Sequence, residues 1–288
     1  MAKKEKTKQP QKTVRQSTLL QWLPTVTFLA LGILIFYPPF FRGLFFKEDM
    51  FLYHVFTAIV FTLIWVMKIY KKDYTLLKTP LDWAILAYAG AYLLSLIGAV
   101  HPGEAFYGFL RVLNYFMVFW MVTQVVKNYQ TYETILKILL AAGTGVAVIG
   151  ILAATGYSNY PSAFNGTHIM STLQYHNTTA AYLGVLSFVG ITLWILEKSF
   201  YKRAVYSFAT FLMTLVTLTA ISKGAWLIFI IGGILLLIGM PGIYRLKAIY
   251  CLGFTLITAI LINTKFLPII TGEGSAKGLL YILIGFIM

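Results

Sequence analysis

The chain has 288 residues, 59% of them hydrophobic and 11% charged, and a mean hydropathy of +0.79. A soluble domain is about 45–50% apolar and about 25% charged, so an ordinary soluble enzyme, a disordered chain and a disulfide scaffold are excluded and a helical membrane protein remains. The formal net charge of +14 raises nucleic acid as a partner until the basic residues are placed along the chain.

In chain order, residues 1–16 are polar and basic and predict a disordered cytoplasmic tail ahead of a multi-span domain over 17–288. The first apolar run, Trp22 to Phe41, is longer than the core of a signal peptide and no small-residue cleavage site follows it, so it predicts an uncleaved helix. Pro38 and Pro39 predict where that helix stops. Further apolar runs lie near 50–70, 81–100, 106–126, 135–155, 177–196, 204–221, 225–240 and 248–264. Barrel strands would alternate with period two, whereas these runs are apolar throughout and predict helices. A tenth run starts near Gly278. At ~1.5 Å per residue it crosses about 17 Å of a ~30 Å hydrocarbon core by Met288, which predicts a partial span: the chain is a fragment of a longer one, or the segment is re-entrant. The expected fold is therefore all-α, a polytopic transmembrane bundle of about nine full spans and a partial tenth. Gly143, Gly145 and Gly150 predict close helix packing, and Cys251, inside an apolar run, predicts a small packing residue.

With the N-terminus placed inside, 17 of the 23 Lys and Arg fall on the cytoplasmic side, and Arg42, Lys47, Arg111, Lys223, Lys265 and Lys277 fall outside. Five of the nine acids are also inside, leaving +12 on the inner face and +2 on the outer. That bias is the positive-inside signature. The basic excess is thus an orientation signal beside anionic lipid, and nucleic acid is not expected as a partner. The same map puts His54, His101, His168 and His176 at or near the outer face, together with the polar segment 156–176.

No Walker A loop, GxGxxG turn, CxxC pair or HExxH helix occurs, and the nine acids form no Asp-x-Asp pair or cluster. No bound metal, nucleotide or other cofactor is expected. Two segments stand out: Gln174-Tyr175-His176-Asn177-Thr178-Thr179-Ala180-Ala181 at the outer start of a helix, and Ile221-Ser222-Lys223-Gly224-Ala225-Trp226 between two helices. Together they resemble the O-antigen ligase and polymerase family of bacterial membrane proteins, with its aromatic-x-Asn-x-x-Ala and later Ser-Arg-Gly-Ala patterns. The Pro39–Phe46 turn resembles the first outer loop of some members.

The resemblance implies a metal-independent, multi-pass glycosyltransferase of the bacterial cytoplasmic membrane. It would move a glycan from an undecaprenyl-diphosphate carrier to a lipid or glycan acceptor on the outer face. Basic side chains would hold the diphosphate: Lys223 in the motif, with Arg111 and Arg42 as further candidates. Tyr175, His176, Asn177, Ser222 and Gly224 carry the rest of the two motifs. Lys223 stands where the family has arginine, which keeps the charge but loses the planar fork. The family's histidine, in a late outer loop, has no counterpart in 265–277; His168 and His176 are the substitutes within reach.

Each residue also has a plainer reading. Lys223 and Arg111 would snorkel to water from helix ends. Asn177, before two threonines, looks like a helix N-cap, and His168 and His176 would serve loop hydrogen bonds. Asn165-Gly166-Thr167 and Asn177-Thr178-Thr179 match the glycosylation sequon, which carries little meaning in a bacterial protein. Two other functions compete with transfer: a transporter or flippase, which would show mid-bilayer charge pairs or broken helices, and a non-catalytic or truncated family member.

Overall fold

A computed structural model describes residues 18–272 and 277–287; the 1–16 tail lies outside these. Among the described residues ten α-helices follow one another: α1 Thr18–Phe36, α2 Lys47–Tyr70, α3 Pro80–Leu94, α4 Pro102–Val125, α5 Tyr129–Ala154, α6 His176–Leu196, α7 Phe200–Thr219, α8 Lys223–Gly239, α9 Gly242–Thr271 and α10 Lys277–Ile287. No strand occurs among the described residues beyond an isolated bridge between Phe164 and Ile169. Each of the ten apolar runs has become a helix.

Seven of the described helices, α1 to α6 and α9, are long and apolar enough to cross a membrane. The other three fall short for different reasons. α8 has 17 residues and α10 has 11. α7 has 20, but Lys202, Arg203 and the buried Thr210, Thr214, Thr217 and Thr219 dilute its apolarity. It can carry those hydroxyls because it is the central helix, and the threonines bond backward to carbonyls one turn earlier or, for Thr214, to Ser187 on α6.

Local chemistry sets the helix ends. Thr79 accepts from the Asp82 N–H while Asp82 accepts from the Thr79 N–H, a capping box behind Pro80. Asn128 and Thr131 do the same for α5. Ser222 caps α8 by accepting from the Ala225 N–H at 3.2 Å. Pro38 and Pro39 stop α1 at Phe36 and turn the chain into a 3-10 turn, Pro38–Phe40, followed by a second, Arg42–Leu44.

Two apolar cores result. One joins α1, α2 and α4 around Leu31, Met50, Ile64 and the fully buried Trp120. The other joins α5, α6, α7, α9 and α10 around Ile151, Leu183, Met213 and Phe266. Small residues let the halves close. A Cβ on Gly145 would stand 2.8 Å from the Phe40 ring, and one on Gly150 2.7 Å from Ile169 and 3.0 Å from Ser171. These glycines of α5 therefore seat the segments that carry the connecting loops at one end of the bundle, here the loop end.

The opposite end is held by a buried lysine. Lys68 Nζ donates to Asp73 Oδ2 (2.6 Å) and Gln124 Oε1 (3.2 Å) and lies 5.9 Å from both the Trp65 and Trp120 ring centres. Trp120 Nε1 donates to the Leu76 carbonyl, tying the 71–79 connection to α4. The Lys68 ammonium, then the Thr75 hydroxyl and N–H, hold the Asp73 carboxyl well below the usual carboxylate range.

Two outcomes are expected. Gly150→Leu forces Ile169 and Ser171 away and destabilises by about 1–3 kcal/mol, read as a lower Tm of the detergent-purified protein. A depressed carboxyl pKa stabilises the fold above the unfolded value, and that contribution is lost as pH falls through the folded one. Asp73→Asn should therefore lower Tm at pH 7, and its deficit against wild type should narrow below about pH 4.

Candidate functional site

The loop end is built on the 37–46 turn. Arg42, Gly43 and Leu44 have φ of 53°, 64° and 58°. Arg42 and Leu44, the non-glycine residues on either side of Gly43, are strained by about 1–3 kcal/mol each in the left-handed region, so the surroundings must hold them. They do so from far along the chain. Thr172 Oγ1 donates to the Pro39 carbonyl (2.6 Å) and Tyr160 Oη to the Phe40 carbonyl (2.8 Å). Burial pushes the Tyr160 phenol above its ordinary pKa against the pull of Arg42, so it stays a donor. The partner loop is strained too, with Ser162, Ser171 and Gln174 at φ 55°, 49° and 55°.

Between these loops and α4 lies a cavity of about 560 Å³, walled by Arg42, Arg111, Tyr115, Gln174, Tyr175 and Thr178 together with the Phe45–Phe46 edge. The structure thus brings together three residues singled out from the sequence: Arg42, Arg111 and Tyr175. The two arginines differ. Arg42 is locked, its Nε and Nη2 both on Asp49 Oδ2 (3.0 and 2.8 Å) and its guanidinium 4.2 Å from the Phe46 ring centre. Arg111 Nη2 donates to the Phe45 carbonyl (3.1 Å), and its buried Nε has no partner. Among the described residues no carboxylate lies within ion-pair distance of Arg111.

The remaining candidates lie behind Tyr175. His176 Nδ1 meets the Ala220 carbonyl at 3.0 Å. A carbonyl only accepts, so Nδ1 carries the proton and the lone pair sits on Nε2. The His168 ring lies 4.6 Å from that of His176, and its Nδ1 bonds Thr167 Oγ1 at 2.7 Å. The loop hydrogen-bonding roles expected for both histidines are therefore present. Asn177 departs from expectation. α6 starts at His176 with Tyr175 in the cap position, and Asn177 Nδ2 donates instead to Tyr175 Oη (2.8 Å). The Asn side chain orients the tyrosine that walls the cavity.

The His176–Ala220 bond ties the first motif to the residue just before the second, and the small cluster Ala180, Ala220 and Ala225 brings the two motifs into contact. Ser222 is buried as the α8 cap, whereas Lys223 is exposed and lies outside the arginine cavity. Nothing lies within 4 Å of a Cβ built on Gly224, so packing does not explain that glycine. Among the described residues no group of three or more His, Cys, Asp or Glu could hold a metal ion.

Sequence reasoning missed Asp49, Asn114 and Tyr115, and quoted Gln174 and Thr178 only as part of the helix-start motif. A signal existed for two of them: Asn114 and Tyr115 stand three and four residues after Arg111 and so share its helix face. For Asp49 and Gln174 the partner is set by loop geometry. No family model, curated protein or solved structure matches the chain.

The turn predicts its own sensitivity. Thr172→Val keeps the shape but strands the buried Pro39 carbonyl and should destabilise by about 1–3 kcal/mol. Thr219→Val removes only a bond within its own helix and should lower Tm far less in the same thermal scan.

Proposed function

We propose that the chain is a glycosyltransferase of the O-antigen ligase and polymerase type, moving a glycan from an undecaprenyl-diphosphate carrier to a glycan or lipid acceptor at the outer face of a bacterial cytoplasmic membrane. The loop end would then face outward and the lysine end the cytoplasm, as the positive-inside bias requires. The observation that carries this reading is Arg111: a cation with no carboxylate partner and a buried, unpaired Nε, facing Arg42 across a cavity under the loops. An uncompensated charge there calls for an anion, and a cavity at the bundle's end suits an anion whose tail stays in lipid.

In the transfer, an acceptor hydroxyl oxygen bonds to the anomeric carbon while the bond from that carbon to the phosphate oxygen breaks. The leaving diphosphate takes the electron pair, and its growing charge is met by Arg111 and by Arg42, which Asp49 has already oriented. The hydroxyl proton needs a base; of the two histidines, His176 has its tautomer fixed with the lone pair on Nε2. A transporter reading has less support. The buried charged residues among those described are Lys68 and Asp82, both at helix ends rather than mid-span.

The test is transfer from an undecaprenyl-diphosphate-linked glycan in proteoliposomes. Arg111→Ala should lower the rate about 10²–10³-fold, as for loss of one donor at a developing anion. Arg111→Lys should fall between, because the point charge lacks the fork. Lys223→Ala should lose far less than Arg111→Ala. Undiminished transfer by Arg111→Ala would overturn the reading.

A further inference from the structure

Arg111 walls a second cavity as well. It is about 400 Å³ in volume, shares Gly43, Leu44, Arg111 and Tyr115 with the first, and runs between α1, α2 and α4 as far as Val118 and Phe119. Those residues stand seven and eight positions beyond Arg111, about 11 Å further along the helix axis, so the space extends from the arginines into the bundle. Its walls are mostly apolar, with Leu34, Ile35, Pro38, Leu44 and Met50 among them, and a few polar groups converge in it: His54, Asn114, Tyr53 and the inner side of Arg111.

Two of those polar groups are unfinished, whereas Tyr53 Oη is satisfied by the Leu34 carbonyl at 2.8 Å. His54 Nε2 is buried without a hydrogen-bond partner, and so is Arg111 Nε. Asn114, itself buried, lines the same cavity wall as His54. A buried nitrogen without a partner is unfavourable, and two on one cavity wall mark a place where a ligand oxygen belongs. The apolar walls add a second requirement. Leu34 and Tyr53 also line an apolar groove of about 270 Å³ between α1 and α2, which reaches the exposed Leu52. Leu34 and Tyr53, joined by the Tyr53 hydroxyl bond to the Leu34 carbonyl, stand between groove and cavity, so a chain lying in the groove would reach His54 past that pair.

We infer that the His54–Asn114 cavity binds the lipid-proximal phosphate of a prenyl phosphate, with its first isoprene units along the α1–α2 groove and its phosphate oxygen on His54 Nε2 and Arg111 Nε. This rests on the proposed diphosphate donor and divides that donor about Arg111: the lipid-proximal phosphate lies on the His54 side, and the sugar-bearing phosphate lies between Arg111 and Arg42. His54 is then the group that selects a phosphate on a single apolar chain, and Arg42 the group that responds to the second phosphate.

Binding to the detergent-solubilised full chain separates the two. The probes are farnesyl phosphate, farnesyl diphosphate, dioleoyl phosphatidic acid and inorganic phosphate. His54→Phe should weaken farnesyl phosphate about 10-fold or more, and His54→Gln, which keeps a polar side chain, should weaken it less. Arg42→Ala should weaken the diphosphate and spare the monophosphate. His101→Gln, at an exposed position, should change neither, and a Tm near wild type shows that each variant is folded. Equal farnesyl phosphate affinity in wild type and His54→Phe overturns the inference. So does inorganic phosphate or phosphatidic acid competing as well as the prenyl probe. If His54→Phe weakens both prenyl probes but Arg42→Ala affects neither, the prenyl-phosphate site stands and the diphosphate-donor reading falls. If the wild type binds no prenyl probe, both fall.

Discussion

Two backbone carbonyls hold the loop end together. Pro39 and Phe40 follow a helix broken by proline, so their C=O groups have no helical partner. They receive hydroxyls from Thr172 and Tyr160, 133 and 120 residues away in sequence. A buried carbonyl left without a donor would be unfavourable by about 1–3 kcal/mol, comparable to the strain of one left-handed residue. These two bonds therefore offset the conformation of Arg42 and Leu44 and bring the 37–46 turn against the segment that leads into α6. Without that docking, Arg42 and Tyr175 would belong to separate halves of the molecule and no common cavity would exist.

Close packing under the loops does the rest. Phe40 rests on Gly145, and Ile169 and Ser171 rest on Gly150, while Ser171 Oγ donates to the Val146 carbonyl at 2.5 Å. A single helix, α5, thus carries both loops, on two different sides. The far end is anchored independently, by Lys68 with Asp73 and Gln124. Strain can accumulate at the loop end because the rest of the bundle is held elsewhere, which is the usual division between a scaffold and the loops set on it.

The helices were legible in the sequence because in a bilayer every backbone group must be satisfied within its own segment, so apolar length alone marks a helix. The Pro38-Pro39 stop, the glycine contacts of α5 and the loop bonds of both histidines followed from local chemistry for the same reason. Asn177 did not: a favourable cap sequence lost to Tyr175, because the Thr179 hydroxyl is drawn to the Met170 carbonyl (2.6 Å) and the helix starts earlier. The site was half legible. A charge in an apolar run is conspicuous, and Arg111 was found that way; Arg42 was found as a loop charge in the turn after the first run. Their distinction was not visible, since it depends on Asp49 reaching back seven residues across a strained turn. Lys223 lay in the right layer, but lateral position around a bundle is not written in hydropathy.

The pairing of Arg42 has a further consequence. An anion entering the cavity meets a guanidinium already shared with Asp49, whose own charge opposes the anion. The Arg42–Asp49 pair is nearly neutral at a distance and supplies directed N–H groups more than field. Arg111 has no such partner, so most of the long-range attraction comes from it, while the rigid pair opposite fixes orientation. A site with two free arginines would bind an anion more tightly at rest. Under the proposed transfer, one free and one paired guanidinium would leave binding moderate and would reserve the stronger interaction for the moment when charge on the leaving group grows, which is the condition under which binding energy accelerates a reaction rather than trapping its substrate.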